Sequence, residues 1–245
     1  MTYCVGILVG EGLVFLADSR TNAGVDQIST FRKVAVFEQP GERVMVLMTA
    51  GNLAISQALI SILQEKIDDK AGKAGESLMT APNMFEAARL VGESLREVYH
   101  RDANALKEHG IDFNATLIFG GQIGGEMPRL FNIYSAGNFI EATADTPYFQ
   151  IGESKYGKPI LDRVVTRSLS LQRSVKCALV SMDSTIRSNL SVGLPLDLIT
   201  IKRDTLKVGS HVNINSQHQY YAMINRQWSE SLRHAFHAIP DPDWL

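Results

Sequence analysis

Cysteine is scarce in this chain, and neither sign of charge dominates. Two cysteines, Cys4 and Cys177, stand isolated in apolar segments of 245 residues. That context predicts buried, reduced thiols of a cytoplasmic protein rather than a disulfide or a metal site. A formal net charge of -2 argues against a nucleic-acid surface built on bulk charge. Hydrophobic residues make up 45% of the chain, yet no apolar run approaches the ~18 residues of a membrane span. No basic region followed by an apolar stretch opens the sequence, so no secretory signal is expected. Internal repeats, low-complexity segments and a dividing linker are also missing. The length suffices for a substantial core, and residues 1–245 are expected to form one domain with a helical extension over about 211–245.

What is present begins at the second residue. The chain opens Met1-Thr2-Tyr3-Cys4-Val5-Gly6, and a small residue at position two suits removal of the initiator methionine. A free Thr2 would carry a nucleophilic hydroxyl and, on the same residue, an α-amine able to act as its base. The amine's ordinary pKa of about 8 is high for that task at neutral pH. A lysine ammonium beside it disfavours a second positive charge, and a carboxylate keeps that lysine ionised and oriented. Asp18, at the end of the strand-like run Leu13-Val14-Phe15-Leu16-Ala17, and the isolated Lys33 suit these two roles.

The order of elements follows from the pattern. Residues 3–9 and 13–18 read as strands around Gly10-Glu11-Gly12, and 33–38 with 43–49 as a hairpin around Pro40-Gly41. Leu53, Ile55, Leu59, Ile60 and Leu63 suit the buried face of a helix beginning near Asn52. After a polar stretch from Asp68 to Glu76, a second helix near 83–107 places Met84, Ala87, Val91, Leu95 and Val98 at steps of three and four. Strands near 113–120, 129–135 and 138–142, helices near 155–166 and 171–187, and a strand at 196–203 follow. Two sheets between two helical layers fit this order, a four-layer αββα sandwich of the α+β class. From Asn213 to about His237, Tyr221, Ile224, Trp228, Leu232 and Ala235 mark one face of a tail helix stopped by Pro240 and Pro242. That helix either packs on its own domain or serves as an arm at a subunit contact, where Tyr and Trp are favoured anchors.

Ala17-Asp18-Ser19-Arg20-Thr21-Asn22-Ala23-Gly24, Lys33-Val34 and Met48-Thr49-Ala50-Gly51-Asn52 together resemble the catalytic β subunits of the proteasome family of N-terminal nucleophile hydrolases. The opening and the long carboxy-terminal segment look most like the bacterial Anbu, or ancestral β-subunit, branch rather than HslV. The resemblance is strongest over residues 2–52 and runs to about residue 205. It implies the N-terminal nucleophile hydrolase fold and a threonine-type peptidase in a self-compartmentalised assembly, without cofactor or metal. The catalytic set it implies is Thr2, Asp18, Lys33, the Gly51 N–H as oxyanion donor, Ser154 and Ser191. Thr21 and Asn22 match the strand edge that pairs with an extended substrate, and Thr49 and Leu53 match the lining of the primary side-chain pocket. The small Thr49 and apolar Leu53 predict preference for apolar side chains.

Partners implied are a peptide or unfolded protein substrate, copies of the same chain in a ring or a helical assembly, and a regulator or ATPase, with no nucleic acid and no membrane. Two departures stand out. Ile151-Gly152-Glu153-Ser154 replaces the family's Gly-Ser-Gly turn, so either Glu153 or Ser154 takes the serine's place. In Arg187-Ser188-Asn189-Leu190-Ser191, Ser188 stands where the family has Asp, and Ser191 is retained. These changes keep two alternatives open: a catalytically weak or inactive assembly subunit, and an amidohydrolase acting on small amides.

Overall fold

Apolar runs such as Tyr3–Val9 and Val44–Ala50 have no polar face, and the fold explains why. In the computed structural model, which describes residues 2–22, 28–69 and 76–244, both strands are covered on both sides. β1 (Tyr3–Val9), β2 (Gly12–Asp18), β10 (Tyr148–Gly152), β11 (Leu196–Lys202) and β12 (Ser210–Ile214) form one antiparallel sheet in the order β10-β1-β2-β11-β12. A second antiparallel sheet runs β5 (Val34–Gln39), β6 (Arg43–Gly51), β7 (Ala115–Ile123), β8 (Arg129–Ile133), β9 (Phe139–Glu141).

Side chains alternate along a strand, and this alternation divides the core in three. Tyr3, Val5, Ile7, Val14 and Leu16 pack under α3 (Lys158–Val164), α4 (Leu171–Ser188) and α5 (Gln219–His237). Their neighbours Cys4, Leu8, Leu13, Phe15 and Ala17 face the other sheet, against Val44, Val46, Met48, Ile118 and Leu130. Met45, Leu47 and Phe119 turn the other way, under α1 (Leu53–Asp68) and α2 (Met84–Glu108). Three apolar layers thus separate four structural ones, the αββα sandwich of the α+β class expected from the sequence.

The helices also follow their sequence signals. Asn52 and Asn83 cap α1 and α2, their side chains accepting from the N–H groups of Ala54 and Glu86. Met84, Ala87, Val91, Leu95 and Val98 are all buried. No helix among the described residues is long and apolar enough to cross a membrane.

Four elements depart from the sequence expectation. Two three-residue strands, β3 (Arg20–Asn22) and β4 (Ile28–Thr30), pair with each other; they are too short to carry a period. β10 was likewise not expected, although it pairs with Tyr3–Ile7 of β1. The tail does not begin as a helix at Asn213: Ser210–Ile214 is a strand on the open edge of β11, and the helix starts at Gln219. β11 needs partners for its outer backbone groups, and this demand overrides the helical periodicity. The tail helix is also split along its length. Tyr221 and Ile224 are buried on α4, whereas Leu232 is 51% and Phe236 73% exposed.

Candidate active site

Thr2 precedes β1 at the end of the first sheet, half-buried. The Glu153 N–H donates to its carbonyl at 2.7 Å, and Gly152 pairs with the following residue, Tyr3. Gly152 has φ +80°, and a Cβ there would stand 1.9 Å from the Thr2 carbonyl oxygen. Only glycine permits so close a pass of one backbone over the other. Tyr3 anchors the next step. Its phenol is buried, accepting from Gln150 Nε2 at 2.6 Å and hydrogen-bonded to Ser181 Oγ at 2.5 Å, and burial holds it well above the usual tyrosine range.

Asp18, the last residue of β2, is fully buried, and its Oδ1 accepts from Lys33 Nζ at 2.8 Å and from the Tyr3 N–H at 2.9 Å. Burial lifts the carboxyl above the ordinary range, opposed chiefly by the Lys33 ammonium. Lys33 is itself 5% exposed, and its ammonium also donates to the Arg20 carbonyl at 2.6 Å. Its own carbonyl accepts from the Thr49 N–H at 3.0 Å, tying the lysine's main chain to β6. Two acceptors therefore hold the ammonium, and a main-chain bond to β6 holds the residue that carries it.

β6 ends at Gly51, which has φ +113° and passes so close to Asn114 that a Cβ would lie 2.3 Å from the Asn114 carbonyl oxygen. The next N–H, of Asn52, donates to that same oxygen at 2.8 Å, and α1 starts directly afterwards. A helix start with its unpaired donors and positive dipole end is thereby placed beside Thr2.

These parts meet in one cavity of about 410 Å³. Of the residues expected from the sequence, Thr2, Lys33, Thr49, Gly51 and Leu53 line it, with Asp18 buried behind Lys33. Arg20, Ser56, Asn114 and Gly152 line it too and were not expected as site residues. They arrive from four separate stretches of chain; Arg20 and Gly152 lie within the motif segments quoted above, but nothing local marks Ser56 or Asn114. Thr21 and Asn22 lie in β3, in register with Ser29 and Ile28; their side chains, like Met1 and residues 23–27, lie outside the described part of the structure.

The two departures resolve differently. Glu153, not Ser154, turns inward: it is 7% exposed, and its Oε2 accepts from Asn189 Nδ2 at 2.9 Å. Ser154 is half-buried, and its carbonyl accepts from Gln150 Nε2 at 3.3 Å. Ser188 ends α4 facing solvent. Ser191 follows in the turn beyond, its N–H donating to Asn189 Oδ1 at 2.9 Å. Glu153 and Asn189, the neighbours of Ser154 and Ser188, thus pair with each other.

No family model matches the chain. A curated proteasome β subunit from Haloquadratum walsbyi is 24% identical over 212 residues, covering 86% of this chain and 77% of its own. Two solved structures are far more similar. Anbu (ancestral β-subunit) from Yersinia bercovieri is 51% identical with a TM-score of 0.92, over 99% of this chain and 100% of its own. A helical assembly of the Anbu complex from Pseudomonas aeruginosa is 48% identical with a TM-score of 0.93, over 99% and 98%. The likeness therefore includes the carboxy-terminal tail, beyond the limit near residue 205 drawn from the motifs. With half its residues identical over its full length, the chain belongs to the Anbu family of proteasome-like β subunits.

Proposed function

We propose that this protein is a threonine-type peptidase whose nucleophile is Thr2 after loss of Met1. The observation that carries the reading is the buried Lys33 ammonium, held by Asp18 at 2.8 Å and opening onto the cavity that Thr2 lines. In the unprocessed chain the Thr2 nitrogen is an amide and has no basicity. Once freed, the α-amine takes the hydroxyl proton as Oγ attacks the substrate carbonyl carbon. The Lys33 charge keeps that amine unprotonated beforehand. Negative charge on the carbonyl oxygen is met by the Gly51 N–H and the start of α1. The protonated amine then gives its proton to the leaving nitrogen as the C–N bond breaks, leaving an ester on Thr2. Water, deprotonated by the same amine, hydrolyses the ester and restores the threonine.

Thr49 and Leu53 bound the part of the cavity that takes the substrate side chain, and the β3 edge at Thr21 and Asn22 pairs with the substrate backbone. Glu153, buried on Asn189, supplies the carboxylate missing at Ser188. The competing reading is an assembly subunit with decayed chemistry, and it draws on the solvent-facing Ser188. Amino-terminal sequencing of protein from its native host separates the two. Thr2 as first residue supports the peptidase, and retained Met1 rules it out.

Copies of the chain also associate. The exposed apolar end of the tail, with Leu232, Phe236, Ile239 and Trp244, and the outer faces of α1 and α2 form the contacts. The helical assembly of the Pseudomonas aeruginosa relative supports this. Association along one rotation axis encloses the nucleophiles in a ring, and a rise along that axis gives a helix.

A further inference from the structure

We propose that Asp197, a buried carboxylate of β11, is a positioning residue for the Asp18–Lys33 pair and acts through the hydroxyl of Ser19. The proposal rests on the peptidase reading for its consequence, but its geometry stands alone. Ser19 and Asp197 are each 1% exposed, and Ser19 Oγ donates to Asp197 Oδ2 at 2.8 Å. Asp197 Oδ1 accepts from Asn213 Nδ2 of β12 at 3.4 Å, with His211 Nε2 3.7 Å away.

Ser19 occupies a sensitive point. It is the single residue between the end of β2 at Asp18 and the start of β3 at Arg20. Both of its neighbours hold the catalytic lysine: Asp18 through its carboxylate at 2.8 Å, Arg20 through its carbonyl at 2.6 Å. A rotation of the main chain at Ser19 would move both acceptors at once. Three bonds prevent it. The Ser19 N–H donates to the Pro195 carbonyl at 2.9 Å, its carbonyl accepts from the Phe31 N–H at 3.0 Å, and its hydroxyl meets Asp197. The hydroxyl bond is the one made by a side-chain carboxyl group rather than by a main-chain amide, and the only one of the three that truncating a side chain can remove. Asp197 is well placed to hold it, because β11 pairs with β2 in register, Leu196 opposite Asp18 and Asp197 opposite Ala17.

Selective acetylation of lysines with an N-hydroxysuccinimide ester, read by peptide mass spectrometry, tests the hold on Lys33 without requiring activity. Lys66, half-buried on α1 and paired with Glu97 at 3.0 Å, is the internal reference, remote from Ser19 and Asp197 at the other sheet. In Ser19→Ala and Asp197→Ala, Lys33 should label roughly tenfold faster than in the parent, the scale of one lost hydrogen bond to a charged group, with Lys66 unchanged. Asp197→Asn keeps an acceptor for the hydroxyl and should recover most of the protection. In protein with Thr2 exposed, acylation by a β-lactone should slow in its maximal rate in the first two variants, with its half-saturating concentration unmoved. Should Asp197→Ala fail to fold, Ser19→Ala, which removes a single oxygen, carries the test. Unchanged Lys33 labelling in Ser19→Ala overturns the proposal. A parent that is never acylated overturns the peptidase reading instead, and the Lys33 labelling still decides this one.

Discussion

Gly152 and Thr2 are in backbone contact: a single added carbon on Gly152 would lie 1.9 Å from the Thr2 carbonyl oxygen. With the Glu153 N–H on that oxygen at 2.7 Å, the turn after β10 sets the direction in which the Thr2 side chain leaves the main chain. Gly152→Ala should therefore cost more than a surface substitution. The left-handed backbone alone accounts for about 1–3 kcal/mol, and the displaced Thr2 should lose its acylation. Thermal melting and β-lactone labelling of the same variant check both, and a variant with parental melting and labelling would show that the turn does not position Thr2.

Lys33 and Asp18 make a second prediction, in stability and pH. Lys33→Ala leaves a fully buried carboxylate without its cation, which costs about 3–5 kcal/mol near neutral pH. The direction with pH follows from the upward shift of Asp18 on burial. A carboxyl whose native pKa exceeds its unfolded value of about 3.9 supports the fold most below that value. The support is lost as pH rises through the native pKa. Removing Lys33 removes the main force opposing the shift, so the penalty should be larger at about pH 8 than at about pH 5. Melting of parent and variant at both values measures it. Asp18→Asn added to Lys33→Ala should restore stability but not acylation, and Lys33→Arg should fail to acylate because a planar fork does not replace an ammonium.

The thiols give a simple check of the core. Cys4 faces the other sheet, fully buried, and is held above the ordinary thiol range by that burial; the Cys177 thiol is pushed up to about 11. Neither should react with a disulfide reagent at mildly alkaline pH in the folded protein, and both should react after unfolding. Rapid reaction of one thiol in the native protein would contradict this placement.

Assembly is tested by mass. Light scattering should give a value many times that of the 27.0 kDa chain. Leu232→Ser with Phe236→Ser, both on the exposed half of α5, should lower it without unfolding the chain, since Tyr221 and Ile224 still bind that helix to α4. A parent that scatters as a monomer would defeat the proposed self-association.

The sandwich was legible because its strands are buried on both faces and read as unbroken apolar runs, while α2 shows its buried stripe at helical steps. The placement of Thr2, Asp18 and Lys33 at one cavity was legible from the chemistry their side chains could share, and that of Gly51 from the resemblance. What escaped was short or distant in sequence. β3 and β4 span three residues each, and β12 is a half-polar edge strand recognisable only by the partner it completes. Arg20, Asn114 and Gly152 reach the cavity from separate segments. Glu153 differs again: the sequence offered it beside Ser154, and only burial against Asn189 distinguishes them.

The central claim is that Thr2, as the free amino terminus, is the nucleophile beside Lys33. Incubation of the mature protein with a peptide epoxyketone, followed by intact-mass measurement and peptide mapping, tests it directly. One adduct per chain, on the peptide that begins with Thr2, absent from Thr2→Ala and strongly reduced in Lys33→Ala, is the predicted result. An adduct elsewhere, or none on protein proven to begin at Thr2, would contradict the account.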